Sequence, residues 1–118
     1  MPAEQTGFPF RAAEDGNRIT VGFPAGTELT EANADALQRE LLALVAGRTQ
    51  AHLTVDLAGI TILTSVVLGK FLAVNKAVRA AGGQFTLLNP TATVRMVFAV
   101  TRLDTVLDIQ PGTSGMSA

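Results

Sequence analysis

The sequence has no cysteine and a single histidine, His52. Without thiols there is no disulfide framework, and one imidazole alone is too few ligands for a Cys/His zinc site. Basic excess is missing as well: nine Lys and Arg stand against ten Asp and Glu, for a formal net charge of −1. Nucleic-acid binding through phosphate contacts needs a concentrated positive field, so nucleic acid is not an expected partner. Long apolar runs are also lacking. The first seven residues do not pair a basic start with an apolar core, and the most apolar later stretch is broken by Lys70 and Asn75. Neither a signal peptide nor a membrane-spanning helix is expected, which makes the cytoplasm the default location.

What is present suffices for one domain. The 118 residues are 47% hydrophobic and 16% charged, the balance of a soluble globular chain with a real core and no room for a second one. Phe8, Phe10 and Ala12 alternate with other residues, as do Ile19, Val21 and Phe23, and Asp15-Gly16-Asn17 between them has turn chemistry, so a β-hairpin is expected. Leu37, Leu41, Leu44 and Val45 recur at helical spacing, with Thr30 as N-cap, Glu31 in the first turn and Gly47 past the end, which predicts a helix of about four turns. Residues 51–57 read as a buried central strand. A second helix is predicted from Ser65 to Ala81, with the stripe Leu68, Phe71, Leu72 and Val78, which Asn75 interrupts; Gly82-Gly83 stops it.

A strand at 84–88 follows, then Pro90 suited to a first helical turn, a helix over 91–100 burying Val94, Val97 and Phe98, and a closing strand or helical turn at 105–109. The order β-β-α-β-α-β-α-(β/α) describes an α/β fold, α+β by some schemes: a small mixed sheet with helices packed on one face and right-handed crossovers. Residues 1–109 form the expected single domain, with 1–7 flexible, and residues 110–118 have too little apolar surface to offset their ordering entropy, so a disordered tail is expected.

The chain offers little catalytic machinery. Asp56 closes the central strand, where α/β folds often place functional groups, but no second carboxylate is readable beside it. His52 begins that strand, at the end away from Ser65, which puts a Ser/His pair beyond hydrogen-bond reach. Gly82-Gly83 lacks the Lys-Ser or Lys-Thr that completes a phosphate loop. Ser65 stands out because it lies where an apolar strand passes through a loop into a helix, among free backbone N–H groups at the positive end of the dipole. Capping alone also accounts for Thr64 or Ser65 there.

Three segments carry a wider resemblance: Val55-Asp-Leu-Ala-Gly-Ile-Thr-Ile-Leu-Thr-Ser65, the helix ending in Ala80-Ala-Gly-Gly83, and Leu87-Leu-Asn-Pro-Thr-Ala-Thr-Val-Arg95 followed by Thr101-Arg-Leu103. In this order and spacing, over residues 8 to 109, the sequence resembles the STAS superfamily, best known from the bacterial anti-sigma factor antagonists. The resemblance implies that Ser65, or Thr64 beside it, is the phosphoacceptor of a partner anti-sigma kinase. It implies that the unphosphorylated form binds that kinase and so releases a sigma factor, with a phosphatase reversing the modification. The implied docking face comprises Thr30, Thr64, Ser65, Val66, Val67 and Lys70. No catalytic residue, cofactor or metal is implied.

The sequence departs from the family's pattern at several positions. Thr64 replaces the usual Asp before the acceptor, Thr30 replaces a frequent Asp at the start of the first helix, and Val66-Val67 follow the acceptor in place of a Gly-containing pattern. Arg102 occupies the Gly of Thr-Gly-Leu, where a left-handed turn would cost about 1 kcal/mol. A second reading keeps the fold without the switch: a constitutive scaffold of a transporter-associated or signalling assembly that uses the Val66-Val67 edge. The sequence leaves the oligomeric state, including a homodimer, open.

Overall fold

Gly16 and Asn17 form the two-residue turn of the hairpin, and Gly16 takes φ 63°, a left-handed value that only a residue without a Cβ adopts at little cost. A computed structural model describes residues 10–110 and shows the hairpin as β1 (Arg11–Asp15) antiparallel to β2 (Arg18–Gly22), with Asp15 opposite Arg18. The sequence-based positions Phe8, 1–7 and 111–118 lie outside the described residues. Five strands form the main sheet in the spatial order β1-β2-β4-β6-β7, where β4 is His52–Asp56, β6 is Gln84–Leu88 and β7 is Asp108–Gln110. All its pairings beyond the hairpin are parallel, so the sheet is mixed, as expected. Gln110, expected to begin the tail, is the last residue of β7.

Three helices cover the sheet's apolar face: α1 (Glu31–Val45), α2 (Ser65–Ala80) and α3 (Ala92–Thr101). Ile19, Val21, Leu53, Val55, Phe85 and Leu87 are all fully buried. Burial of one such aliphatic or aromatic side chain contributes about 1.5–3 kcal/mol, so this face supplies much of the driving force for folding. Central strand β4 has a core face only on one side: Leu53 and Val55 are buried, while His52, Thr54 and Asp56 are half-buried. The expectation of a strand buried on both faces is corrected accordingly, because helices pack on just one of them.

The helices bury the positions that their spacing dictates, with adjustments. On α1 the core residues are Ala34, Leu37 and Leu41, and on α3 they are Val94 and Phe98, with Leu44, Val45 and Val97 packed at the margins. The inner stripe of α2 is Val67, Phe71, Val74 and Val78, flanked by Leu68 and Asn75; Leu72, expected in the stripe, is half-buried. Asn75 is tolerated because its Oδ1 accepts from Arg79 Nε at 3.1 Å. Pro90 stands one residue before the N-cap, Thr91, whose hydroxyl accepts from the Val94 amide, so the proline precedes the helix. Arg102 does take the left-handed conformation, φ 62° and ψ 18°, and a 3₁₀ turn at Leu103–Thr105 leads on to β7.

Two further strands went unanticipated. β3 (Thr27–Leu29) and β5 (Ile60–Leu63) pair in parallel as a separate two-stranded sheet, with Leu29 opposite Leu63. The residues following that pair are Thr30 and Thr64, the N-caps of α1 and α2. This small sheet therefore sets the starts of the two helices side by side.

Candidate functional site

The helix starts define the candidate site. At α1, Ala32 N–H donates to Thr30 Oγ1 at 3.1 Å, and Thr30 N–H donates to Asn33 Oδ1 at 2.9 Å, a reciprocal cap with Asn in the place usually held by Glu or Gln. At α2 the Thr64 N–H donates to the Leu29 carbonyl at 3.1 Å, which locks the two starts together. The Thr64 carbonyl accepts from Val67 N–H and Leu68 N–H, but the Thr64 side chain makes no capping bond, and its Oγ1 is buried without a partner among the described residues.

Ser65 is the first residue of α2 and is exposed. Its hydroxyl makes no hydrogen bond among the described residues, so neither it nor Thr64 acts as a side-chain cap. Glu31 holds at α1 the position that Ser65 holds at α2, and it is exposed too. A hydroxyl set at an open helix N-terminus, next to a second helix N-terminus, sits in a field that stabilises added negative charge.

The other expected site residues divide. Val66 is 43% exposed and adjoins Ser65, whereas Val67 is fully buried and reaches no surface. Val67 is therefore corrected from a docking residue to a core residue, since the turn of the helix points it with Phe71 into the sheet. Lys70 Nζ lies 2.7 Å from Asp35 Oδ1, so its charge ties α2 to α1 rather than standing free. That ammonium's hydrogen bond, then its charge, hold the Asp35 carboxyl below its ordinary range. Thr30 is half-buried and committed as a cap. Ile62 on β5, 44% exposed, is an apolar surface residue near α2 in sequence that the sequence reading passed over; its only signal was an isoleucine in a polar-flanked run.

The discarded catalytic candidates find local roles. Asp56 Oδ1 accepts from Ala58 N–H at 2.9 Å and from Asn89 Nδ2 at 3.3 Å, shaping the turn after β4. Among the described residues no group of three His, Cys, Asp or Glu is placed to hold a metal ion, and no helix is long and apolar enough to cross a membrane.

A mixed sheet covered on one face by helices is the fold of a STAS domain protein from Planctomyces limnophilus, 19% identical with a TM-score of 0.77 over 89% of this chain and 92% of that one. The family described as "Mlab, STAS domain" matches residues 12–110, and the chain belongs to it. No curated protein matches the sequence. Among solved structures, an anti-sigma factor antagonist from Mycobacterium paratuberculosis is 21% identical with a TM-score of 0.75, over 90% of this chain and 87% of that one. The phosphorylated form of the Bacillus cell fate determinant SpoIIAA is 16% identical with a TM-score of 0.63, over 92% and 96%. A murine anion transporter, Slc26a9, is 17% identical with a TM-score of 0.61, over 83% of this chain but 15% of the transporter. At these identities the likenesses speak for the fold.

Proposed function

We propose that the protein is a protein-binding module of the anti-sigma factor antagonist type, controlled by phosphorylation of Ser65. Unphosphorylated, it binds an anti-sigma factor that is also its serine kinase, and so frees a sigma factor; a phosphatase resets it. It works in the cytoplasm as substrate and ligand and has no chemistry of its own. The observation that carries this reading is the exposed, unbonded Ser65 hydroxyl at the start of α2, in a chain of this family. A phosphoserine there brings about −1.5 to −2 charges that the helix end tolerates and an acidic or close-packed partner rejects, so binding switches without refolding.

The test is to isolate the protein from its own cells, locate phosphate by mass spectrometry, and compare partner capture by Ser65→Ala and Ser65→Glu. Phosphate on Ser65 and loss of the partner in Ser65→Glu alone are expected. Equal binding by wild type and both variants would defeat the switch. Phosphate on Thr64 would move the acceptor by one residue, to a hydroxyl that must first leave its buried position.

A second reading, a constitutive scaffold, is favoured by the exposed apolar Val66 and Ile62 and by the occurrence of this fold within a transporter chain. It predicts a stable co-purifying complex that is indifferent to both Ser65 variants.

A further inference from the structure

On the sheet face turned away from the helices, side chains stand in register across the strands. Arg18 pairs with His52 and His52 with Gln84, and the next row is Thr20, Thr54 and Thr86, with Asp108 beyond Thr86. The alternating neighbours Ile19, Leu53 and Phe85 are fully buried, which places these rows on the open face. At the starts of β2, β4 and β6 the Arg18 row borders a cleft of about 530 Å³, whose lining includes Asn17, Arg18, Gln50, His52 and Gln84 and no carboxylate. Asn17 Nδ2 is committed to the Thr49 carbonyl. The Arg18 guanidinium and the Gln50 and Gln84 amides are unengaged among the described residues.

His52 is wired to a carboxylate. The Thr86 hydroxyl donates its one hydrogen to Asp108 Oδ2 at 2.9 Å, so toward His52 Nε2, 3.4 Å away, it can only accept. Nε2 therefore carries the hydrogen, and in the neutral ring Nδ1 is an acceptor. Taking up a proton turns Nδ1 into a second donor, while the Nε2–H stays on a chain that ends at a negative charge. Thr86 is 7% exposed, which shields that chain from water, and Gln110 Nε2 steadies Asp108 through Oδ1 at 2.6 Å. The other charged group facing the row is Asp15, opposite Arg18 on β1, with no ion pair between them.

We propose that this cleft binds a phosphate-type dianion, with Arg18 and protonated His52 supplying two positive charges and the Gln50 and Gln84 amides the remaining donors. Arginine's planar fork suits an oxyanion, and an imidazolium N–H makes a charge-assisted bond of the same kind. A phosphate group fills only part of the cleft, so the class of ligand is a phosphorylated small molecule. Because the ligand favours the charged ring, binding draws a proton from solvent onto His52 Nδ1, and affinity rises as pH falls.

The experiment uses the full chain. His52 is the only histidine, so its ring proton signals in NMR are unambiguous. Sodium sulfate, whose charge is constant between about pH 5.5 and pH 8, is titrated against sodium chloride at equal ionic strength, followed by inorganic phosphate. The expected results are saturable shifts with sulfate but not chloride, an imidazole titration moved to higher pH, and affinity at least about fivefold higher at the acid end. Arg18→Ala, at an exposed position, should abolish saturation with the fold intact by circular dichroism. Identical responses to sulfate and chloride, or sulfate binding unchanged by Arg18→Ala, would overturn the proposal. None of these residues belongs to the helix-start site, so the result is independent of the Ser65 reading.

Discussion

The Thr64 amide donates to the Leu29 carbonyl over 3.1 Å, and that bond holds the start of α2 against the start of α1. The two threonine caps thus joined do different work. Thr30 commits its hydroxyl to a helix amide, while the Thr64 hydroxyl is buried with nothing to bond among the described residues.

Thr30→Val should therefore destabilise the protein by about 1 kcal/mol through loss of a cap. Thr64→Val should leave stability unchanged or raise it by about 1 kcal/mol, because the isosteric methyl removes an unpaired buried polar atom. Urea unfolding of the two variants beside wild type checks the contrast, and a comparable loss in both would contradict the bonding described.

Gly83 is required by a close approach of backbones. A Cβ there would lie 2.1 Å from the Ala51 carbonyl oxygen, in the segment that leads into β4. Gly83→Ala is expected to cost about 3 kcal/mol or more, since neither backbone can yield without breaking the β4–β6 start. The melting temperature reads this directly.

Arg102 carries the opposite burden, a side chain where glycine fits better. Its φ of 62° is left-handed, and Arg102→Gly should raise stability by about 0.5–1 kcal/mol, with partial offset from the freer unfolded chain. Chemical denaturation at constant pH is the measurement.

The Asp35 carboxyl, held below its ordinary range by the Lys70 hydrogen bond and charge, gives stability a pH dependence of defined sign. Its contribution is fully present above the unfolded-state value and is lost as pH falls through the lower folded-state value, a window at and below the usual carboxylate range. Asp35→Asn should thus lose a small increment near neutral pH and converge with wild type in strong acid. Because Asp35 is exposed, added salt should shrink the difference.

Much of this architecture was readable from residue order. The hairpin turn at Gly16-Asn17, the Thr30 cap and the helix span from Ser65 follow from local chemistry that the tertiary structure leaves intact, whereas the left-handed turn at Arg102 was suggested only by the family resemblance. Strands β3 and β5 were not readable, because three residues with a register shift and a four-residue strand with two exposed central positions carry no period-two signal. Without them the adjacency of Thr30 and Thr64 rested on the family resemblance alone. Val67 was a different failure: Val67, Phe71, Val74 and Val78 form a clean helical stripe in the sequence, but the family resemblance placed Val67 beside Val66 on the implied docking face. The open-face row of Arg18, His52 and Gln84 required the strand order, which no single segment contains.

The parallel order of β2, β4, β6 and β7 also has a kinetic consequence. Only the β1–β2 hairpin joins strands through a tight turn; the other pairings of the main sheet each close a loop of some twenty to thirty-five residues containing a helix. The hairpin can form within microseconds, but the central sheet must pay several loop-closure entropies before its apolar face is buried, so folding of the whole domain belongs to the milliseconds-or-slower class of non-local topologies.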